Sequence, residues 1–214
     1  MKKIPRQHSL PSQKEILAHF DKRDAVIAGI IKEIGPFLLQ CNKNYFQVLC
    51  NAIIGQQIST RAADAVSRRF HGLFKGRIPT AKRVAALPDE SLREIGFSRQ
   101  KTAYIKDLSE KFLSKTIRPH KLPFMSNEEV VETLTAVHGI GRWTAEMFLI
   151  FSLNRLDILP VGDLGLRAAL KNIYKMRSLP SIKRVRILGK KWHPYETIAT
   201  WYAWRTFDSN NIAY

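Results

Sequence analysis

Asp163 is the residue whose type and setting most clearly suggest chemistry. It closes a Pro-Val-Gly-Asp turn and stands directly before the run LGLRAALKNIY, which has the pattern of a helix. A carboxylate at such a position can stabilise positive charge that develops during a reaction. Asp is also a common N-cap, and position alone favours that structural interpretation. The two roles are compatible.

The second chemical feature is the glycine hairpin Gly139-Ile140-Gly141. Glycine adopts a positive φ without strain and lets another backbone come close. If a helix starts directly after the hairpin, its first N–H groups point outward and can bind an anion such as a phosphate. The alternative is a packing joint between two helices that binds nothing, because G-x-G alone is a weak signal.

The residues around the hairpin predict the two helices that would position it. Ser126 and Glu129 form a capping box, and the apolar residues that follow recur at helical spacing up to Val137. The first helix is therefore predicted to end near His138. The second helix restarts at once, with Trp143 and further apolar residues on one face.

Helical periodicity extends through most of the chain, and alternating strand patterns are absent. We therefore expect an all-α protein. Cys50 falls on the apolar face of one of these helices, which predicts a buried thiol and no disulfide. Outside the hairpin, the predicted helices cover residues 26–34, 46–57, 61–70, 81–87, 90–95, 101–113, 163–174 and 194–207.

Three motifs in order resemble one family, the helix-hairpin-helix DNA glycosylases, and within it the DNA-3-methyladenine glycosylase II branch. The first is the segment L-x-x-x-x-G-I-G-R-W-T-A, followed about twenty residues later by P-V-G-D. Residues 45–59 resemble the helix and G-Q-Q-I-S loop with which this branch fills the gap left by a flipped nucleotide. Residues 192–195 and 199–205 resemble its C-terminal W-x-P-Y and W-Y-x-W-R helix.

The resemblance implies two helical domains with an active-site cleft between them. Residues 45–158 would form a helical bundle that ends in the helix-hairpin-helix motif. Residues 1–44 and 159–214 would form the second domain. The flipped base would lie in the cleft, with Asp163 at the junction as the catalytic carboxylate.

The resemblance also implies a base pocket made of Trp143, Trp201, Met147 and Tyr202. In bifunctional relatives, which also cut the DNA strand through a Schiff base, a nucleophilic lysine stands at the position of Trp143. Because this chain has an aromatic ring there, the resemblance implies stacking on a cationic alkylated purine and no lyase amine. For Trp201 a core aromatic is an equally good interpretation, and for Trp192 and Trp204 it is the stronger one.

The remaining contacts implied by the resemblance are to the DNA helix. Gln56 or Gln57 would fill the space of the extruded base and hydrogen-bond its orphan partner, although a polar helix end is the alternative. Phosphate contacts are expected from the hairpin and the start of the next helix, with Lys171 and Arg205 as further candidates. Arg142, Lys171 and Arg205 could equally form a solvated basic face. The expected residues are Gly139, Gly141, Arg142 and Thr144.

No zinc-like cluster and no P-loop is present in the sequence, so no metal or nucleotide cofactor is expected. By resemblance only, a structural Na⁺ or K⁺ could be held by the backbone of Val137, His138 and Gly139. That ion would be the one cofactor of the protein.

The charge of the chain agrees with a nucleic-acid partner. It has 35 Lys plus Arg against 18 Asp plus Glu, for a formal net charge of +17. The basic residues are spread along the chain instead of forming one basic amphipathic helix, and no apolar run could span a bilayer, so no membrane partner is expected. The N-terminus, MKKIPRQHSLPSQKE, lacks the apolar stretch of a secretory signal. We expect a monomer that is cytoplasmic in a bacterium or nuclear in a eukaryote.

Together these features predict a monofunctional DNA glycosylase that removes alkylated bases such as 3-methyladenine from duplex DNA and leaves an abasic site. One alternative is a glycosylase for oxidised or deaminated purines on the same scaffold. Another is a non-catalytic, structure-specific DNA-binding module, which would keep the hairpin without needing Asp163 and an aromatic pocket.

Overall fold

The computed structural model of the chain describes residues 10–207, and the fold in that range is all-α, as predicted. Within the described residues, no helix combines the length and the apolar character needed to cross a membrane. A short 3₁₀ helix spans Leu122–Phe124. The α-helices are α1 (Gln13–Arg23), α2 (Ala25–Ile34), α3 (Tyr45–Gly55), α4 (Thr60–Gly72), α5 (Ala81–Ala85), α6 (Asp89–Glu94), α7 (Arg99–Leu113), α8 (Asn127–Thr135), α9 (Arg142–Phe151), α10 (Leu164–Ile173), α11 (Ile182–Gly189) and α12 (Glu196–Arg205).

The chain divides into two compact units. One is the continuous segment Asn42–Phe148, and the other combines the residues up to Cys41 with those from Leu149 onward. The boundary at which the chain leaves the Asn42–Phe148 unit falls within α9, ten residues before the predicted domain boundary at residue 158. Residues 1–9 and 208–214 lie outside the described residues. The first of these segments belongs to the N-terminus for which no secretory signal is predicted, and both belong to the predicted second domain.

α7 is the central helix of the Asn42–Phe148 unit. It packs against α3, α5 and α6. Its buried residues recur every three or four positions, which is the spacing of one helix face; they are Thr102, Ile105, Leu108 and Ser109. On α3 the Cys50 thiol is fully buried, as predicted, and burial raises its pKa.

α12 is the central helix of the other unit. Its residues 197–204 are all buried, so the helix is enclosed on every side, and it packs against α2 and α10. In the same unit, Asp24 caps α2 and is buried. Its carboxylate accepts hydrogen bonds from the Tyr174 hydroxyl at 2.6 Å and the Trp192 indole N–H at 3.0 Å. These bonds offset the cost of burying the charge.

The helix before the hairpin ends earlier than the predicted position near His138. α8 begins with the predicted capping box but ends at Thr135, and the next turn tightens, since the N–H of Val137 bonds to the carbonyl of Leu134 at 3.1 Å. The N–H of His138 donates to the carboxylate of Asp107 in α7 at 2.7 Å. This tertiary acceptor takes a donor that a longer helix would use internally.

α11 is a helix that the sequence analysis did not single out. Ser181 caps it by accepting the N–H of Arg184 at 3.2 Å, and Val185 lies on its buried face. Ile182, Val185 and Leu188 recur at three-residue spacing, and of these Ile182 is exposed, as is Ile187. With only eight residues, about two turns, the helix is too short for this recurrence to stand out in the sequence.

Candidate functional site

Asp163 is fixed by a turn and by a helix start. Its N–H donates to the carbonyl of Pro160 at 2.9 Å, which closes the Pro-Val-Gly-Asp turn. Its carboxylate caps α10 by accepting the N–H of Leu166 at 2.5 Å. The N-cap interpretation is therefore confirmed, and the positive end of the helix dipole stabilises a negative charge at this position.

The same carboxylate oxygen accepts a second hydrogen bond from a buried tryptophan. The indole N–H of Trp204 lies 2.9 Å from Oδ1 of Asp163, and the two residues are only 5% and 9% exposed. Gly165 leaves room for this bond, because a Cβ there would lie 3.2 Å from Oδ1. This bond between Trp204 and Asp163 was not predicted from the sequence; the one signal for it is that a buried indole N–H needs an acceptor.

α12 also fixes the chain that leads into the turn. The Thr197 hydroxyl donates to the carbonyl of Arg155 at 2.7 Å and accepts the N–H of Ile158 at 3.1 Å. Thr197 and Trp204 are seven residues apart, about two helical turns, and so lie on the same face of α12. One helix therefore positions both the start of the segment and the carboxylate at its end.

The hairpin glycines have different structural roles. Gly139 has a φ of +84°, and a Cβ at that position would clash with the ring of Tyr104 in α7. Gly141 directly precedes α9, its carbonyl accepts the N–H of Ala145 at 3.1 Å, and a Cβ there would meet no atom within 4 Å. The fold thus requires glycine at 139 and leaves 141 open.

The side chains expected to bind phosphate beside the hairpin lie in contrasting environments. Arg142 is exposed and pairs with the Glu128 carboxylate through both terminal nitrogens, one of them at 3.1 Å. This hydrogen bonding lowers the pKa of Glu128. Thr144, on the same first turn of α9, is only 8% exposed.

The backbone carbonyls of Val137, His138 and Gly139, which were predicted to hold a cation, lie in the turn that links α8 to α9. The carbonyl of Val137 accepts the N–H of Ile140 at 3.1 Å. That of Gly139 accepts the side-chain amide of Gln56 at 2.7 Å. A carbonyl oxygen has two lone pairs, so accepting one of these hydrogen bonds does not by itself prevent it from binding a cation.

The two glutamines after α3 have different environments. Gln56 is half-buried, and its amide bridges to the hairpin through the bond to Gly139. Gln57 is exposed and has a φ of +57°, at the point where the chain leaves α3. Of the pair, Gln57 is the one whose side chain faces solvent.

The residues predicted to line a base pocket are distributed over both units. Trp143, on the first turn of α9, is 43% exposed, and Met147 lies half-buried one turn later. In the unit that carries Asp163, Tyr202 is fully buried and donates its hydroxyl proton to the carbonyl of Gly35 at 2.7 Å. Burial raises the pKa of this Tyr202 hydroxyl.

Trp201 is a packed residue whose ring already faces a cation. It is 6% exposed, and the ring of Phe37 meets it edge-on at a centroid distance of 5.2 Å. The guanidinium carbon of Arg205 lies 4.9 Å from the centroid of the Trp201 ring, which is within cation–π range.

Comparisons with known proteins agree with this architecture. Residues 50–194 match the HhH-GPD superfamily of base excision DNA repair proteins. The chain is 32% identical over 209 residues to DNA-3-methyladenine glycosylase 1 of Schizosaccharomyces pombe, covering 92% of each protein. The chain therefore belongs to the HhH-GPD superfamily, and its resemblance to the DNA-3-methyladenine glycosylase branch is confirmed.

Two solved structures have closely similar folds. One is the 3-methyladenine DNA glycosylase of Schizosaccharomyces pombe in complex with abasic DNA, with a TM-score of 0.82 and 31% identity over 93% of this chain and 100% of that one. The other is the DNA-3-methyladenine glycosidase of Bacillus halodurans, also with a TM-score of 0.82 and 35% identity over 92% of this chain and 89% of that one.

The hairpin geometry predicts that Gly139→Ala destabilises the protein and Gly141→Ala does not. The first substitution forces a positive φ on alanine and overlaps the Tyr104 ring, at a cost of about 2–4 kcal/mol in the free energy of unfolding. The second meets open space and should change that free energy by less than about 0.5 kcal/mol. Urea unfolding measures both, and equal stability of the two variants would contradict the role assigned to Gly139.

Proposed function

We propose that this chain is a monofunctional DNA glycosylase that extrudes alkylated bases such as 3-methyladenine from duplex DNA and hydrolyses the N-glycosidic bond. The observation that carries the proposal is the buried Asp163 carboxylate, held by the Leu166 N–H and the Trp204 indole. The names of the relatives support the alkylated-base specificity. The abasic DNA bound by one of them is the product that this reaction would leave.

Asp163 would act on the sugar. As the base leaves, positive charge builds up on the deoxyribose, and a carboxylate a few ångströms away stabilises it by about 4 kcal/mol at an effective dielectric constant near 20. Because Asp163 is already oriented by two hydrogen bonds, little reorganisation is needed when the charge develops. The carboxylate can also orient the attacking water as a general base.

Trp143 is the residue that we propose for stacking on the damaged base. An alkylated purine is electron-poor and cationic, so an aromatic face attracts it by stacking and cation–π interaction. The ring of Trp143 is partly exposed, whereas that of Trp201 is packed against Phe37 and Arg205. The first-turn N–H groups of α9 and Arg142, once released from Glu128, would bind phosphates.

The proposed reaction needs no redox or nucleotide cofactor. A monovalent cation at the hairpin would be held by the carbonyls of Val137, His138 and Gly139. Such an ion would supply positive charge near the DNA backbone without taking part in the chemistry.

The first prediction isolates the charge of Asp163. In Asp163→Asn the amide oxygen still accepts from Leu166 and Trp204, so the variant should fold and should bind damaged DNA within several-fold of wild type. Loss of the negative charge should reduce single-turnover base release at least about 100-fold. The measurement uses duplexes that each carry one defined lesion: 3-methyladenine, 8-oxoguanine or hypoxanthine.

The exposed Asp21 on α1 supplies the matched control, since Asp21→Asn makes the same chemical change away from the site. It should excise like wild type. Excision by a folded Asp163→Asn protein at the wild-type rate would refute the catalytic assignment. Wild-type release of 8-oxoguanine or hypoxanthine without release of 3-methyladenine would redirect the specificity to oxidised or deaminated purines.

The second prediction assigns the wedge to Gln57. Its exposed side chain makes Gln57→Ala neutral for stability, while excision should fall about tenfold because the gap left by the flipped base is no longer filled. Gln56→Ala should instead lower the free energy of unfolding by about 1 kcal/mol through loss of the bond to Gly139. Fluorescence of 2-aminopurine beside the lesion reports extrusion. Normal extrusion by the Gln57 variant would exclude it as the wedge.

The third prediction follows from Trp143 at the position of the lyase lysine. Without an amine there, no Schiff base forms, so borohydride should not trap the protein covalently on lesion-containing DNA. The product strand should stay intact until alkali cleaves the abasic site. Efficient trapping, or strand cleavage before alkali, would show that another amine of the chain has lyase activity.

A further inference from the structure

A block of uniformly positive sequence follows Asp163. Between Leu164 and Tyr195 the chain has nine Lys or Arg residues and no Asp or Glu. The chain as a whole has about one acidic residue for every two basic ones. This stretch, which contains α10 and α11, therefore holds just over half of the formal net charge of +17, although most of the basic residues lie elsewhere along the chain.

The positive side chains of α11 and the residues after it are exposed. Val185 and Leu188 face the core, and the basic residues share the exposed surface of the helix with Ile182 and Ile187. Within residues 10–207 none of these basic side chains makes an ion pair, in contrast to Arg142 and Lys32. The exposed basic residues are Lys183, Arg184, Arg186, Lys190 and Lys191.

α11 is firmly attached to the segment that carries Asp163. Gly189 at its end packs so closely on Leu159 that a Cβ would clash with the leucine side chain. At its start, the Pro180 carbonyl accepts the Nε–H of Arg167, one turn into the helix that Asp163 caps, at 2.9 Å. A ligand bound to α11 would therefore be held at a fixed position relative to Asp163.

We infer that α11 and the two lysines after it form a DNA-binding surface separate from the hairpin, on the unit that carries the catalytic carboxylate. Lys183, Arg186 and Lys190 lie on consecutive turns, so their charges follow the helix over about 10 Å. Duplex DNA carries about one negative charge per 1.7 Å of its axis, and Lys and Arg bind it by displacing condensed counterions. The surface would contact the sugar-phosphate backbone without reading its sequence.

The inference rests on the proposed function in one respect, because DNA is the partner that Asp163 would act on. An anionic membrane is the other polyanion that such a surface could bind. The structure favours DNA, because Val185 and Leu188 of α11 are buried in the unit. The exposed Ile182 and Ile187 stand singly among basic residues and do not form an apolar face that could enter a bilayer.

The test removes three positive charges from the α11 surface in one variant and three from α1 in a control variant. One variant combines Lys183→Gln, Arg186→Gln and Lys190→Gln. The control combines Lys14→Gln, Lys22→Gln and Arg23→Gln on α1, which removes the same net charge from exposed positions of the same unit. Fluorescence anisotropy with an undamaged labelled duplex gives the affinity of each at several salt concentrations, and thermal unfolding checks that both are folded.

The α11 variant should bind duplex DNA at least about tenfold more weakly at low salt, and its slope of log affinity against log salt should be flatter by about 2–3. The control should remain near wild type. Equal losses in both variants would mean that only net charge matters, and an unchanged α11 variant would mean that this surface does not touch DNA. Loss of binding to phosphatidylserine vesicles with unchanged DNA affinity would assign the surface to a membrane. Each of these three outcomes would overturn the inference.

Because the duplex is undamaged, this measurement is independent of base excision. A wild-type protein that releases no alkylated base, paired with a weakened α11 variant, would refute the proposed activity and leave the surface in place. Normal excision by the wild type, together with unchanged DNA binding by the α11 variant, would support the proposed activity and refute the α11 surface.

Discussion

The two hydrogen bonds to one oxygen of Asp163 are the interaction on which the site depends. A buried carboxylate is costly unless fixed dipoles compensate its charge, and here the Leu166 N–H and the Trp204 indole N–H do so. The same two donors fix the direction in which the carboxylate points. Charge compensation and orientation therefore have one structural origin. Gly165 is part of it, because a side chain at that position would crowd the bonded oxygen.

The unit that contains Asp163 uses this arrangement twice. Asp24 also caps a helix, is buried and accepts an indole N–H, from Trp192. Asp24 receives a further donor, the Tyr174 hydroxyl, from an element distant in sequence, and so ties the start of α2 to the C-terminal half of the chain. Asp163 lies instead at the end of a turn that α12 holds through Thr197 and Trp204. Similar hydrogen bonding thus joins distant parts of the chain at Asp24 and holds a carboxylate in a fixed position at Asp163.

In the Asn42–Phe148 unit, α7 has the organising role. Lys101 donates to the Ile54 carbonyl near the end of α3 at 2.6 Å, the Tyr104 ring lies against Gly139, and Asp107 receives the His138 N–H. These contacts sit one turn apart on α7. The glutamine loop and the hairpin are therefore both fixed to one rigid helix, and Gln56 joins them directly through its bond to Gly139. A shift of α7 would displace the glutamine loop and the hairpin together.

What could be predicted from the sequence was local in origin. The capping box at Ser126, the N-cap at Asp163 and the all-α fold follow from spacings of a few residues. Hydrogen bonds between residues distant in sequence could not be predicted from such local spacings. Asp107 is 31 residues from the His138 N–H whose bond accompanies the early end of α8, and Trp204 is 41 residues from Asp163. α11 was not predicted for a different reason: it spans only eight residues, so its apolar recurrence covers just two turns. The short helix nevertheless gathers on its exposed side the basic residues of the proposed DNA-binding surface.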